Sequence, residues 1–164
     1  MKPTTGRVWV LGDNVDTDVI YPGRYLPIIV SEEMALHALE GIDPEFPKKL
    51  KPGDIIVAGT NFGCGSSREQ AATCLKAAGV AAIVAGSYSR IFFRNALNQG
   101  LALVESKECR KHVKDGVAIT IDFGKGRILV PDGEISFEPL PAFLMQILED
   151  GGLIEHTKKK IAAK

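Results

Sequence analysis

The sequence predicts an α/β domain with a mixed sheet, on two observations. Residues 55–85 run strand, loop, helix, strand, and residues 117–130 alternate and then turn back on themselves. The first run is a βαβ unit, whose strands are parallel and whose crossover is right-handed. The second reads as a hairpin, which requires antiparallel pairing. Parallel and antiparallel pairing in one chain make the sheet mixed.

The elements follow in order. Arg7-Val8-Trp9-Val10-Leu11 is a short strand closed by Gly12-Asp13-Asn14, and a compact acidic turn runs on to Asp18. From Tyr21 to Val30, Pro22, Gly23 and Pro27 exclude a regular helix, so this stretch is a loop with extended pieces. Ser31-Glu32-Glu33 opens a helix, with Ser31 as N-cap and the acids in its first turn; Gly41 should end it. Ile42 to Asp54 is a proline-bearing connector. Ile55–Ala58 is an apolar strand, Thr60–Gly65 a glycine-bearing loop, and Ser66 or Ser67 starts a helix to Ala78. That helix sets Ala71, Leu75 and Ala78 on one face and stops at Gly79. Ala81–Ala85 is a buried-type strand, Ser87–Gln99 a helix carrying Phe92, Phe93, Ala96 and Leu97 on one side, and Leu101–Val104 a further strand. Val117, Ile119 and Ile121 form one arm of the hairpin, Gly124-Lys125-Gly126 its turn and Arg127–Val130 its return. A last helix spans about 141–149 and stops at Gly151-Gly152. Nothing divides the chain, so 1–164 is read as one domain of about 6–150 with a short basic tail at Lys158-Lys159-Lys160.

Composition narrows the function. Twenty Lys and Arg balance twenty Asp and Glu, so the positive field of a nucleic-acid glove or a polybasic membrane binder is missing. No apolar run approaches the roughly 18 residues that span a bilayer. The three cysteines, Cys64, Cys74 and Cys109, form neither a paired framework nor a CxxC. With no apolar signal core at the N-terminus, a cytoplasmic protein is expected.

The chemistry concentrates in Gly59-Thr60-Asn61-Phe62-Gly63-Cys64-Gly65-Ser66-Ser67-Arg68-Glu69. This loop leaves the carboxyl end of a strand and enters a helix, which is where open α/β sheets bind ligands. Gly63 and Gly65 let backbone approach an anion, Ser66 and Ser67 add hydroxyls, and Arg68 can grip a carboxylate with two parallel hydrogen bonds. The alternative is structural: Ser66 caps the helix and Glu69 completes a capping box. The spacing is neither a Walker loop nor a nucleophile elbow, and no base lies nearby in sequence for a serine hydrolase.

Three motifs in order, Asp13-Asn14-Val15-Asp16-Thr17-Asp18 with Pro22-Gly23-Arg24-Tyr25-Leu26, then Gly63-Cys64-Gly65-Ser66-Ser67-Arg68-Glu69, then Gly86-Ser87-Tyr88-Ser89-Arg90-Ile91-Phe92 with Asn95, resemble the swivelling domain of the aconitase superfamily. Within it they resemble the small subunits of isopropylmalate dehydratases, over about residues 6–150. The resemblance implies a three-layer β/β/α swivelling domain and a reversible dehydration and rehydration of an alkylmalate. It implies a large partner subunit, in a heterodimer or heterotetramer, whose [4Fe-4S] cluster takes the substrate hydroxyl as a Lewis acid. By position, Ser66 corresponds to the serine base, Ser67 and Arg68 to residues that hold substrate carboxylate, and Asp18 to an acid of the same site, with Gly65 in the cradle. Cys64, Cys74 and Cys109 are too irregularly spaced for an iron–sulfur ligand run, so this chain is expected to hold no metal.

Substrate choice is expected to rest on Tyr25-Leu26-Pro27-Ile28-Ile29. Pro27, Ile28 and Ile29 cannot pair with a third carboxylate but suit a branched alkyl group, whose burial is worth about 1.5–3 kcal/mol. Arg24, beside them, stays open, as do homocitrate, 2-methylmalate and dimethylmalate as substrates and a non-catalytic carboxylate-binding role. Asn14, Asp16 and Asp18 imitate the opening of a calcium loop, but Val19 at the turn position and Tyr25 in place of the closing glutamate argue against one. Cys64 reads as a small spacer, and Arg90 and Arg94 either meet a partner or brace the sheet.

Overall fold

The computed structural model describes residues 1–164. Its seven strands are β1 Thr4–Val10, β2 Ile55–Ala58, β3 Ala82–Ala85, β4 Ala102–Glu105, β5 Ala118–Asp122, β6 Arg127–Val130 and β7 Gly133–Ser136, in the spatial order β4-β3-β2-β1-β5-β6-β7. Helices α1 Thr17–Ile20, α2 Ser31–Ala35, α3 Phe46–Lys49, α4 Glu69–Ala77, α5 Arg90–Asn98, α6 Ala142–Glu149 and α7 Leu153–Ala162 complete it, with 3-10 turns at Gly23–Tyr25 and Cys109–His112.

The sheet is mixed, as the sequence predicts. β1 is the junction: Val8–Val10 pair in parallel with β2, and Thr4–Arg7 pair antiparallel with β5. Successive strand residues point to opposite faces, and that alternation sorts them into two cores. Ile56, Ala58, Ile83, Ala85 and Leu103 join Ala71, Leu75, Phe92 and Ala96 of α4 and α5. Ile55, Val57, Ala82, Val84, Ala102 and Val104 instead meet Ile119, Ile121, Ile128 and Val130 from the antiparallel half. The layers are therefore helices, parallel sheet and antiparallel sheet, the β/β/α arrangement expected.

Several elements differ from the sequence reading. The helix from Ser31 is regular only to Ala35, and its N-cap is Val30, not Ser31. Beyond it Leu39 takes a φ of 61°, and the Leu39 and Gly41 amides donate to the Ile20 and Val19 carbonyls. A Cβ on Gly41 would lie 2.5 Å from the Val19 Cα, so the chain leaves its helix to pack on α1. The hairpin is a three-stranded meander, because β7 pairs with β6. Lys158–Lys160 are not a tail but part of α7, where Lys159 Nζ donates to Asp150 Oδ1 at 2.7 Å and the buried His156 lies 2.6 Å from the other Asp150 oxygen. Gly151 and Gly152, with φ of 91° and 121°, turn the chain into that helix.

Candidate active site

Two loops converge at the carboxyl ends of β1 and β2. Backbone bonds stitch them: Asn14 N donates to Thr60 O at 2.9 Å, Gly63 N to Val15 O at 2.8 Å and Thr17 N to Cys64 O at 2.8 Å. Asp13 Oδ1 accepts from the Thr60 amide at 2.8 Å, and Asn61 Nδ2 donates to Asn14 Oδ1 at 3.0 Å. Asp13 and Asn14 are thus turn chemistry. Asp16 caps α1, its Oδ1 accepting from Val19 N at 2.9 Å.

The glycines have specific work here. Gly63 has a φ of 78°, and a Cβ on it would lie 2.2 Å from the Phe92 ring. Gly65, at a φ of 95°, packs against Thr17 and Asp16. Helix α4 begins later than expected, at Glu69, with Arg68 at the cap position and no side-chain cap bond. The capping-box reading of Ser66 and Glu69 is therefore corrected: Glu69 accepts from Gln99 Nε2 at 2.7 Å instead. Ser66 is drawn to Thr17, whose Oγ1 donates to Ser66 O at 2.9 Å and lies 3.2 Å from Ser66 Oγ. The amides of Gly65, Ser66 and Ser67 donate to no acceptor within the chain, although Arg68 N donates to Ser66 O. Three consecutive N–H groups without a partner are available to an anion.

Arg68 crosses to the other loop. Its Nη1 donates to Asp18 Oδ1 at 2.6 Å and to Tyr21 O at 3.1 Å, and Gly23 N donates to the same Asp18 oxygen at 3.0 Å. Arg68 Nε and Nη2 make no hydrogen bond within the chain, which leaves donors for a carboxylate. The Arg68 hydrogen bond, then the Gly23 amide, hold the Asp18 carboxyl below its usual range.

The substrate loop is only partly as read. Leu26, Pro27 and Ile29 are exposed, Ile29 at 88%. Ile28 instead packs against the helix-side core and does not stand free. Tyr25 donates its hydroxyl to Glu40 Oε1 at 2.6 Å and stacks on His37 with ring centroids 3.6 Å apart. Arg24 Nη2 donates to that same Glu40 oxygen at 2.7 Å, and His37 Nδ1 lies 2.7 Å from the other. Although burial alone would raise the Glu40 carboxyl, the hydrogen bonds from Tyr25, His37 and Arg24 outweigh it and hold the carboxyl low. The loop is tied down by its own first residues.

The structure thus brings Asp18, Gly65, Ser66 and Arg68 together; Ser67 is exposed beside them. Thr17 belongs to this group and was missed, because a threonine inside an acidic turn carries no pattern of its own. Glu40 was missed likewise. No three His, Cys, Asp or Glu side chains converge anywhere in the chain. Burial pushes the Cys74 thiol far up and the Cys109 thiol up to about 11, the opposite of what a thiolate ligand needs.

The model of the aconitase C-terminal domain family matches residues 28–108. The 3-isopropylmalate dehydratase small subunit of Syntrophus aciditrophicus is 49% identical over 95% of this chain and 96% of its own length. The methanogen homoaconitase small subunit of Methanothermobacter thermautotrophicus is 51% identical over 95% of this chain and 91% of its own. A crystal structure of 3-isopropylmalate dehydratase from Methanocaldococcus jannaschii superposes with a TM-score of 0.92 at 44% identity, covering 98% of this chain and 96% of that one.

Proposed function

This chain belongs to the family of 3-isopropylmalate dehydratase small subunits, built on the aconitase C-terminal domain, and we propose from that premise that it works with a large subunit as a hydro-lyase. The reaction interconverts 2-isopropylmalate and 3-isopropylmalate by dehydration and rehydration through 2-isopropylmaleate, a step of leucine biosynthesis. The observation that carries the site assignment is the meeting of Ser66, Thr17, Asp18 and Arg68 from two loops about fifty residues apart.

Ser66 is the base that takes the proton from the carbon next to the departing hydroxyl. A serine alkoxide is a poor species in water and needs donors already in place. The free amides of Gly65, Ser66 and Ser67 and the nearby Arg68 charge supply them, and the Thr17 hydroxyl joins them by turning its single proton from Ser66 O to Ser66 Oγ. Arg68 offers its unused Nε and Nη2 to a substrate carboxylate while Asp18 fixes its position, and Ser67 adds a hydroxyl. Leu26, Pro27 and Ile29 present an apolar surface to the alkyl group and no partner for a third carboxylate. Leaving one charge unpaired there costs several kcal/mol, on the order expected for an uncompensated carboxylate.

Departure of the hydroxyl requires an acid that this chain does not present, and its cysteines do not fit a cluster. We therefore place the [4Fe-4S] cluster of the family on the large subunit. No helix is long and apolar enough to cross a membrane, and the three unpaired thiols suit a reducing cytoplasm.

The test is the reconstituted complex, followed by alkene absorbance in the mid-ultraviolet. Ser66→Ala is expected to lose turnover by about 10³-fold, within the range for removing a positioned proton-transfer group, while still assembling. Near-normal turnover overturns the base assignment. A preference for homocitrate over isopropylmalate overturns the reading of the substrate loop.

A further inference from the structure

Seven arginines occur in the chain. Five have acidic partners: Arg7 with Asp54, Arg24 with Glu40, Arg68 with Asp18, Arg110 with Asp13 and Arg127 with Glu134. Arg90 and Arg94 have neither an ion pair nor a hydrogen bond within the chain, so they do not brace the sheet. They are neighbours, both exposed, one turn apart on α5.

Their placement is unfavourable twice over. Arg90 is the first residue of α5 and no acid stands in that first turn, so a cation sits at the positive end of the helix dipole. Like charges four residues apart on a helix also repel. Beside them opens a shallow groove of about 510 Å³, lined also by Phe93, Leu97, Leu144 and Glu105. Next to Arg90 the exposed Ile91 adds apolar surface. Glu105 is the one acid that lines the groove, and it forms no ion pair with either guanidinium.

The patch is continuous with the candidate active site. Ser89, the cap of α5, donates its hydroxyl to Gly63 O at 2.7 Å and its amide to Phe62 O at 3.0 Å. A large subunit seated over the Ser66 loop therefore reaches Arg90 at the loop's edge and Arg94 one turn beyond.

We infer that Arg90 and Arg94 form a docking surface for an acidic segment of the large subunit, the carboxylates of that segment supplying the counter-charge this chain lacks. The inference rests on the proposed function. Paired guanidiniums accept carboxylates with bidentate geometry, and an unscreened positive patch speeds encounter with an acidic partner.

The experiment measures association of the full chain with its cognate large subunit by interferometry across a salt series. For the Arg90→Glu/Arg94→Glu double variant, the association rate is expected to fall about tenfold, as for charges that steer binding. Its salt dependence should flatten, while turnover at saturating large subunit stays near wild type. Arg90→Gln/Arg94→Gln, which removes charge without reversing it, should show a smaller loss and guards against misfolding of the first variant. Unchanged association and salt dependence in both variants overturn the inference and leave the proposed function standing. So does self-association of the wild-type chain that the reversal abolishes, since a second copy is then the occupant. If the wild-type chain does not bind the large subunit, the proposed function itself fails.

Discussion

Asp18 and Arg68 lie fifty positions apart in sequence and 2.6 Å apart at Oδ1 and Nη1. The same Asp18 oxygen accepts from the Gly23 amide at 3.0 Å. One carboxylate oxygen thus joins the first turn of α1, the 3-10 turn and the entrance of α4.

Asp18→Asn is expected to loosen this junction. An amide still accepts a hydrogen bond but no longer balances the guanidinium. In the reconstituted enzyme, kcat/KM should fall by about tenfold or more, mainly through KM if Arg68 holds substrate. The pH dependence has a definite sign. Because the folded Asp18 carboxyl is held low, by Arg68 first, its contribution to stability is present above the unfolded value of about 3.9. It is lost as pH falls through the lower folded value. Denaturant melts should separate wild type from Asp18→Asn at neutral pH and bring them together in acid; a constant gap refutes the linkage.

Thr17→Val tests the residue that only the structure reveals. Thr17 is 2% exposed, and its hydroxyl meets both Ser66 oxygens. The near-isosteric valine should lower kcat by about 10-fold or more with a smaller change in KM, as for loss of a donor used in the transition state. Thr17→Ser should recover much of the loss. Full activity in Thr17→Val would remove this hydroxyl from the site.

Gly63→Ala should destabilise the fold by about 2–4 kcal/mol, the range for backbone strain combined with overpacking. The added Cβ would fall 2.2 Å from the Phe92 ring at a φ of 78°. Phe92→Ala keeps the Phe92 Cβ, itself 2.3 Å from the added one, so it removes only the ring contact and the double variant should lose nearly the sum of the two single losses. Chemical denaturation of the two single variants and the double variant decides this.

Thiol labelling should discriminate among the cysteines. Cys64 is half-buried in the site loop, whereas Cys74 and Cys109 are buried with raised thiols, Cys109 at about 11. At pH 8, iodoacetamide followed by peptide mass spectrometry should find the native protein modified at Cys64 alone. The other two should react only after denaturation, and the large subunit should protect Cys64.

Much of this protein was legible along the chain. The strands Ile55–Ala58, Ala82–Ala85 and Ala102–Glu105 are short apolar runs punctuated by glycine, and their helices show one apolar face, so local periodicity was enough to find them. The Gly63–Glu69 loop announced itself because its glycines, serines and arginine are contiguous. Periodicity, however, records that a face is buried and not against what. The double pairing of β1 and the packing of α7 against α5 depend on partners far away in sequence, whereas β7 pairs locally with β6 across Pro131-Asp132 but carries only Ile135 as an apolar signal. The later start of α4 followed from Ser66 meeting Thr17, which no helix-start rule contains. What the sequence alone determined was the set of local elements and the residue types of the loop. Only the tertiary structure decided that Thr17 joins Ser66, that Asp18 holds Arg68 and that Glu40 anchors Tyr25. The reason is physical: each is a hydrogen bond between side chains on different segments, and its partners meet only after the sheet has curled and the two loops have packed.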